Sequence, residues 1–192
     1  MIYAKEVGRV DEGIRLNTLE SVWIRGRLRM WGRWAGLERY GRIGNMFNML
    51  LSSHTLTRDA VRGAMKQLEN AGCSRQELEV FLNEILQGKQ KTGLAFCTDE
   101  EGRIIDRTIS ETLHNYPALK KLIADRYRGR GRSVKELAER LNVDNPHWCF
   151  KTCQRRIDVW LNVAESMLYA PVCDAFGANH DKFTLPGVQK RC

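Results

Sequence analysis

Proline and histidine are both scarce, at 4 each in 192 residues. Among so few histidines no Ser/His/Asp or Cys/His set for nucleophilic catalysis stands out. Long apolar runs are missing as well: nothing approaches the roughly 18 residues a membrane span needs. The opening Met1-Ile-Tyr-Ala-Lys-Glu lacks the basic-then-apolar pattern of a secretory signal. Secretion and membrane insertion are therefore not expected, and a cytoplasmic protein is. There is no internal repeat and no low-complexity stretch. A Gly-Lys-Ser/Thr phosphate loop is also absent, so Gly129 and Gly131 are not read as one. What remains is 43% hydrophobic and 28% charged, enough apolar surface for one folded domain or two small ones.

Acid is the minority charge. Lys and Arg number 31 against 23 for Asp and Glu, a net charge of +8. One arginine block comprises Arg25, Arg27, Arg29, Arg33, Arg39 and Arg42. A later block runs from Lys120 and Lys121 through Arg126, Arg128, Arg130, Arg132, Lys135 and Arg140 to Lys151, Arg155 and Arg156. The acids gather between them, at Asp99, Glu100, Glu101 and Asp106. Solvated helix faces produce such clusters, but two arginine-dominated blocks point to nucleic acid. The 6 cysteines are read as reduced thiols, because a chain of this length forms a core without staples.

Apolar spacing predicts an all-α or mostly helical fold. A first helix starts at Asn17 or Thr18, carries Leu19, Val22, Trp23, Leu28, Met30, Trp31 and Trp34, and gives way to a loop at Gly36, Gly41 and Gly44. Thr55 or Thr57 caps a second through Val61, Met65 and Leu68, ending at Asn70-Ala71-Gly72. Ser74 and Glu77 form a capping box for a third, ending at Gly88. The segment 93–106 reads as the least helical, with Thr98-Asp-Glu-Glu-Gly102 as a polar turn and Asp106 as the cap of a following helix. Pro117 suits a first helical position. Arg128-Gly-Arg-Gly-Arg132 reads as a flexible basic joint, and the chain after Pro171 as a tail. The domain reading is an N-terminal helical region over 1–95, an acidic turn plus helix-turn-helix over 96–170, and a tail over 171–192.

The strongest local pattern is Ser133-Val-Lys-Glu-Leu-Ala-Glu-Arg-Leu141. Ser133 and Glu136 make a capping box, Val134, Leu137, Ala138 and Leu141 share one face, and the small Ala138 admits a crossing helix. A second helix over about 151–168 turns Cys153, Ile157, Trp160, Leu161, Ala164 and Leu168 inward and shows Lys151, Thr152, Gln154, Arg155 and Asp158 outward. This is the arrangement of a helix-turn-helix whose second helix enters the major groove. The intervening 142–150, with Pro146 and Trp148, is longer than the usual turn of about three or four residues.

The stretch from Leu119 to Leu168 resembles the promoter-reading fourth region of bacterial sigma factors. Leu28-Arg-Met-Trp31-Gly-Arg-Trp34-Ala is similar to the tryptophan-glycine-tryptophan segment of the phage late-gene antitermination proteins called Q. Cys97-Thr-Asp99-Glu-Glu-Gly102-Arg-Ile-Ile105-Asp106 resembles the acidic segment that those proteins carry before their sigma-like helices. The three occur in the same order. The resemblance implies a non-enzymatic factor that binds DNA near a phage late promoter. It would load onto bacterial RNA polymerase at a sigma-dependent pause and suppress pausing and termination. Double-stranded DNA and the polymerase are then the partners, with sigma factor and nascent RNA as open additions, and no cofactor, metal or membrane. Carried onto this chain, the DNA contacts are Arg130, Arg132, Ser133, Lys135, Lys151, Thr152, Gln154, Arg155 and Arg156. Arg25, Arg27, Arg29 and Arg33 are assigned to polymerase or RNA.

Other readings stay open at this point. Trp31 and Trp34 either stack on bases or belong to the core. His147, Cys149 and Cys153, with Cys173 or His180, offer zinc ligands without paired C-x-x-C knuckles. Asp99, Glu100, Glu101 and Asp106 form either a solvated turn or the metal site of a small nuclease. An ordinary helix-turn-helix regulator acting only at initiation is a further alternative.

Overall fold

The computed structural model describes residues 16–38, 58–86 and 97–177. Within them lie seven helices and no strand: α1 (Thr18–Glu38), α2 (Arg58–Asn70), α3 (Arg75–Leu86), α4 (Asp99–Thr112), α5 (Pro117–Tyr127), α6 (Val134–Asp144) and α7 (Phe150–Ala175). The fold is all-α. The expectations placed on Gly41, Gly44, Thr55, Thr57, Gly88, Arg39, Arg42 and His180 lie outside the described residues.

Helix α7 is the axis of the molecule, packing against α1, α4, α5 and α6. One core joins these five helices. It contains Ile24, Leu28 and Trp31 of α1, Ile105 and Ile109 of α4, Leu122 and Ile123 of α5, Leu137 and Leu141 of α6, and the inner stripe of α7. The α2–α3 hairpin has a small core of its own, built from Leu68, Cys73, Leu78 and Phe81. Gly72, at φ +94°, makes the turn between its helices in a conformation that favours glycine. Ser74 and Glu77 cap α3 reciprocally, as their spacing predicts.

Several boundaries differ from expectation, each for a local reason. Helix α1 is capped by Asn17, whose Oδ1 accepts from Glu20 N at 2.9 Å while Glu20 accepts from Asn17 N at 2.8 Å. It runs through Gly26, Gly32 and Gly36, so Gly36 lies inside the helix rather than in a loop after it. The acidic segment is not a turn: it is the first turn of α4, capped by Thr98 and Glu101 as another reciprocal box. Thr98-x-x-Glu101 is itself the capping signature, and three acids beside the helix N-terminus complement its dipole. Asp106 therefore sits within α4 and caps nothing. Helix α7 continues past Pro171 to Ala175, because the fully buried Val172 and Cys173 anchor its last turns.

The Arg-Gly joint after α5 is pinned rather than flexible. Gly129 N–H donates to Gly32 O at 2.9 Å, Arg126 donates to Arg132 O at 2.7 Å, and Arg132 pairs with Asp125. Gly129 and Gly131 both take positive φ, near +60°. The backbone of Gly129 passes so close to α1 that a Cβ on Gly36 would meet Gly129 Cα at 2.8 Å.

Candidate nucleic-acid interface

Helix α6 begins with the predicted box: Ser133 Oγ accepts from Glu136 N at 3.2 Å, and Glu136 accepts from Ser133 N at 2.6 Å. Leu137, Ala138 and Leu141 are buried against α7, whose Cys153 and Ile157 face inward. Since α6 extends to Asp144, only residues 145–149 connect the two helices, a shorter link than the sequence suggested. That link is tied down. Asn142 Nδ2 donates to Trp148 O at 2.7 Å, Trp148 N to Asn145 O at 3.0 Å, and Asn145 Nδ2 to Leu141 O at 3.0 Å.

On the first turns of α7, Lys151, Gln154 and Arg155 are exposed, and Thr152 and Arg156 are half-buried. They project from the same end of the helix, where unpaired amides and the helix dipole favour an anion. Cys149 is the N-cap, without a side-chain bond to the backbone. Its thiol lies 3.1 Å from Thr152 Oγ1, and the hydrogen bonding there holds its pKa below the usual thiol value. Arg140 and Lys135 are exposed on α6, Lys135 at 4.0 Å from Glu139. Glu136, Glu139 and Asp144 on α6 and Asp158 on α7 are exposed acids beside them.

The remaining sequence candidates have structural duties. Arg130 donates to Glu69 O at 3.3 Å and so closes the end of α2, and Arg132 is the partner of Asp125. Among the described residues, three of Arg25, Arg27, Arg29 and Arg33 are ion-paired and one is not. Arg25 pairs with Glu165 at 2.8 Å, Arg27 with Glu101 at 3.4 Å, and Arg33 holds both oxygens of Glu77 at 2.8 and 2.9 Å. Each thus ties α1 to a different helix. Arg29 is exposed, with no ion-pair partner among the described residues.

Trp31 and Trp34 belong to the core. Their indole N–H groups donate to Asp106 at 3.1 Å and Asp99 at 3.0 Å, so two of the four clustered acids serve as buried-indole acceptors. Glu101 caps α4 and pairs with Arg27. Of the zinc candidates, Cys149 is exposed while Cys153 and Cys173 are buried in the core. Among the described residues no group of three or more metal-ligating side chains converges.

Two constellations escaped the sequence reading. Glu165, 2% exposed, accepts from Tyr127 Oη at 2.6 Å and from Arg25. It was detectable as the one charge on the apolar stripe of α7. In the second, the Arg156 guanidinium lies 3.8 Å from the centroid of the Trp148 ring, with His147 edge-on to the same ring at 5.6 Å. Nothing in the spacing of 148 and 156 signals that pair.

No curated protein matches this chain. Among solved structures, transcription antitermination factor Q21 in complex with Q21-binding-element DNA superposes with a TM-score of 0.53 at 18% identity, covering 85% of this chain and 95% of that one. Q21 determined in another structure gives 0.53 at 16% identity, covering 88% and 99%. The likeness establishes a shared fold. A family model described as "Protein of unknown function (DUF1133)" matches residues 1–177, and the chain belongs to that family.

Proposed function

We propose that this protein is a phage transcription antitermination factor that binds DNA beside a late promoter, loads onto paused bacterial RNA polymerase and suppresses pausing and termination. The observation that carries the reading is the fold shared with Q21 along nearly the whole of both chains, one of those structures holding its DNA element. The basic start of α7, with Lys151, Arg155 and Arg156, supports it. In this reading α6, the link and α7 act as a sigma-region-4-like helix-turn-helix. Gln154 and Arg155 reach base edges from the exposed start of α7, and Lys135 and Lys151 meet phosphates. Ser133, Arg130 and Arg132 contribute chiefly by setting the position of α6. Of Arg25, Arg27, Arg29 and Arg33, Arg29 is the one without an ion-pair partner among the described residues, and it offers its charge to polymerase or nascent RNA. The protein acts by binding, without catalysis or cofactor, in the cytoplasm of a bacterial host.

The test is transcription by host RNA polymerase through an intrinsic terminator placed downstream of the phage late promoter. Readthrough is expected with the protein present, and only when its DNA element lies in cis. Raised initiation with an unchanged terminator would instead assign the protein to regulation at initiation. Normal termination with the element occupied would overturn the antitermination reading.

A further inference from the structure

Arg155 and Arg156 are neighbours in sequence and opposites in environment. Arg155 is exposed and unstacked. Arg156 is half-buried, its guanidinium lying on the Trp148 ring at 3.8 Å from the centroid. Trp148 is itself fixed. Its ring packs on the main core, its carbonyl accepts from Asn142 Nδ2 at 2.7 Å, and its amide donates to Asn145 O. Among the described residues Arg156 has no carboxylate or carbonyl partner. One π-face of the guanidinium is therefore covered, and the N–H groups along its edge are free.

An arginine in that state has lost part of its side-chain entropy before any ligand arrives. It also presents a planar fork suited to a phosphate's oxygens. Arg156, half-buried on the Trp148 ring, is held close to the protein surface, whereas Arg155 is exposed with its full length available to reach into the groove. We infer that Trp148 is a positioning residue that holds Arg156 as a fixed contact to a DNA backbone phosphate, setting how α7 seats on the duplex while Arg155 is left to read bases. This rests on the DNA-binding reading above, and it separates the roles of two arginines that their sequence positions make equivalent.

A phosphate contact acts on any sequence, so the probe is a fluorescently labelled duplex of mixed sequence, titrated by the full-length protein over a range of salt concentrations. Arg156→Ala is expected to lower the slope of log affinity against log salt by about one, the signature of one phosphate contact. Arg156→Lys retains the charge but not the stacked plane. It is expected to keep the slope and lose affinity about two- to five-fold, the size of effect a cation–π contact supports. Trp148→Leu should match Arg156→Lys in the wild-type background and cost nothing further in the Arg156→Ala background; Trp148→Phe, which keeps a ring, should fall between Leu and wild type. An unchanged salt slope for Arg156→Ala would overturn the phosphate assignment. Wild-type affinity for Arg156→Lys would overturn the role of the stack, and that variant settles the question even if Trp148→Leu fails to fold. Wild-type protein that binds no duplex at low salt would overturn the underlying DNA-binding reading instead.

Discussion

Tyr127 donates its hydroxyl hydrogen to Glu165 Oε1 at 2.6 Å, and the carboxylate that receives it is 2% exposed in the middle of α7. Arg25 reaches the other oxygen from α1. Three helices thus meet on one buried charge. Burial, and then the adjacent carboxylate, push the Tyr127 hydroxyl well above its ordinary pKa, so it remains a donor at all physiological pH. The cluster holds α7 to α1 and α5.

Tyr127→Phe is therefore expected to destabilise the protein by about 1–3 kcal/mol, the cost of leaving a buried acceptor partly unsatisfied. The loss should shrink when Glu165→Gln is added, since a neutral amide costs less to bury than a carboxylate. Urea denaturation of the two single variants and the double variant checks this. An equal loss in both backgrounds would place the effect in packing.

Gly102 and Gly26 should respond oppositely to alanine, although both are helical. Helix propensity favours alanine at each position by roughly 0.5–1 kcal/mol. A Cβ on Gly102 collides with the Trp34 indole, its Cγ being 2.7 Å away, whereas one on Gly26 meets nothing within 4 Å. Gly26→Ala should raise the melting temperature. Gly102→Ala should lower it, by about 1–3 kcal/mol of overpacking. A gain for both would show that Trp34 yields easily.

Thiol chemistry should divide the cysteines. Burial pushes Cys73 up to about 11 and Cys97 up to about 12, from an ordinary value of 9.0. Cys149, exposed and hydrogen-bonded by Thr152, is shifted down. In a Cys192→Ser background, Cys149 should be alkylated first, and the buried thiols only on unfolding. The raised pKa values also set the sign of the alkaline limb. Unfolded thiols ionise from pH 9 upward while the folded ones stay neutral, so their contribution is full below 9 and lost as pH rises toward 12. Denaturant melts across that window should show falling stability, and Cys97→Ala should flatten the fall.

Under the proposed function, Arg155→Ala should reduce discrimination between a cognate DNA element and a scrambled duplex by about 1–3 kcal/mol. Lys135→Ala should weaken both duplexes alike. Binding overall should fall on the order of 10³ or more between low and high salt if about six phosphates are met. Equal losses on both duplexes for Arg155→Ala would move that residue to the phosphate class.

What the sequence determined by itself was mostly local. Ser133 with Glu136 and Ser74 with Glu77 start helices where their spacing says, because a capping box is satisfied within four consecutive residues. The inner stripe of α7, from Cys153 to Leu168, is buried as its periodicity requires. Thr98 and Glu101 carried the same signature, obscured by the acids and glycine around it. Only the tertiary structure decided which charges are free. Arg25, Arg27 and Arg33 look like a basic patch in one dimension, yet their partners Glu165, Glu101 and Glu77 lie 140, 74 and 44 residues away. Asp99 and Asp106 likewise look like unpartnered acids in one dimension, yet each accepts from an indole of α1. Charge and helical phase belong to a segment and can be read along it. Whether a charge faces solvent or a partner depends on which helices pack together, and that is set by the whole core at once.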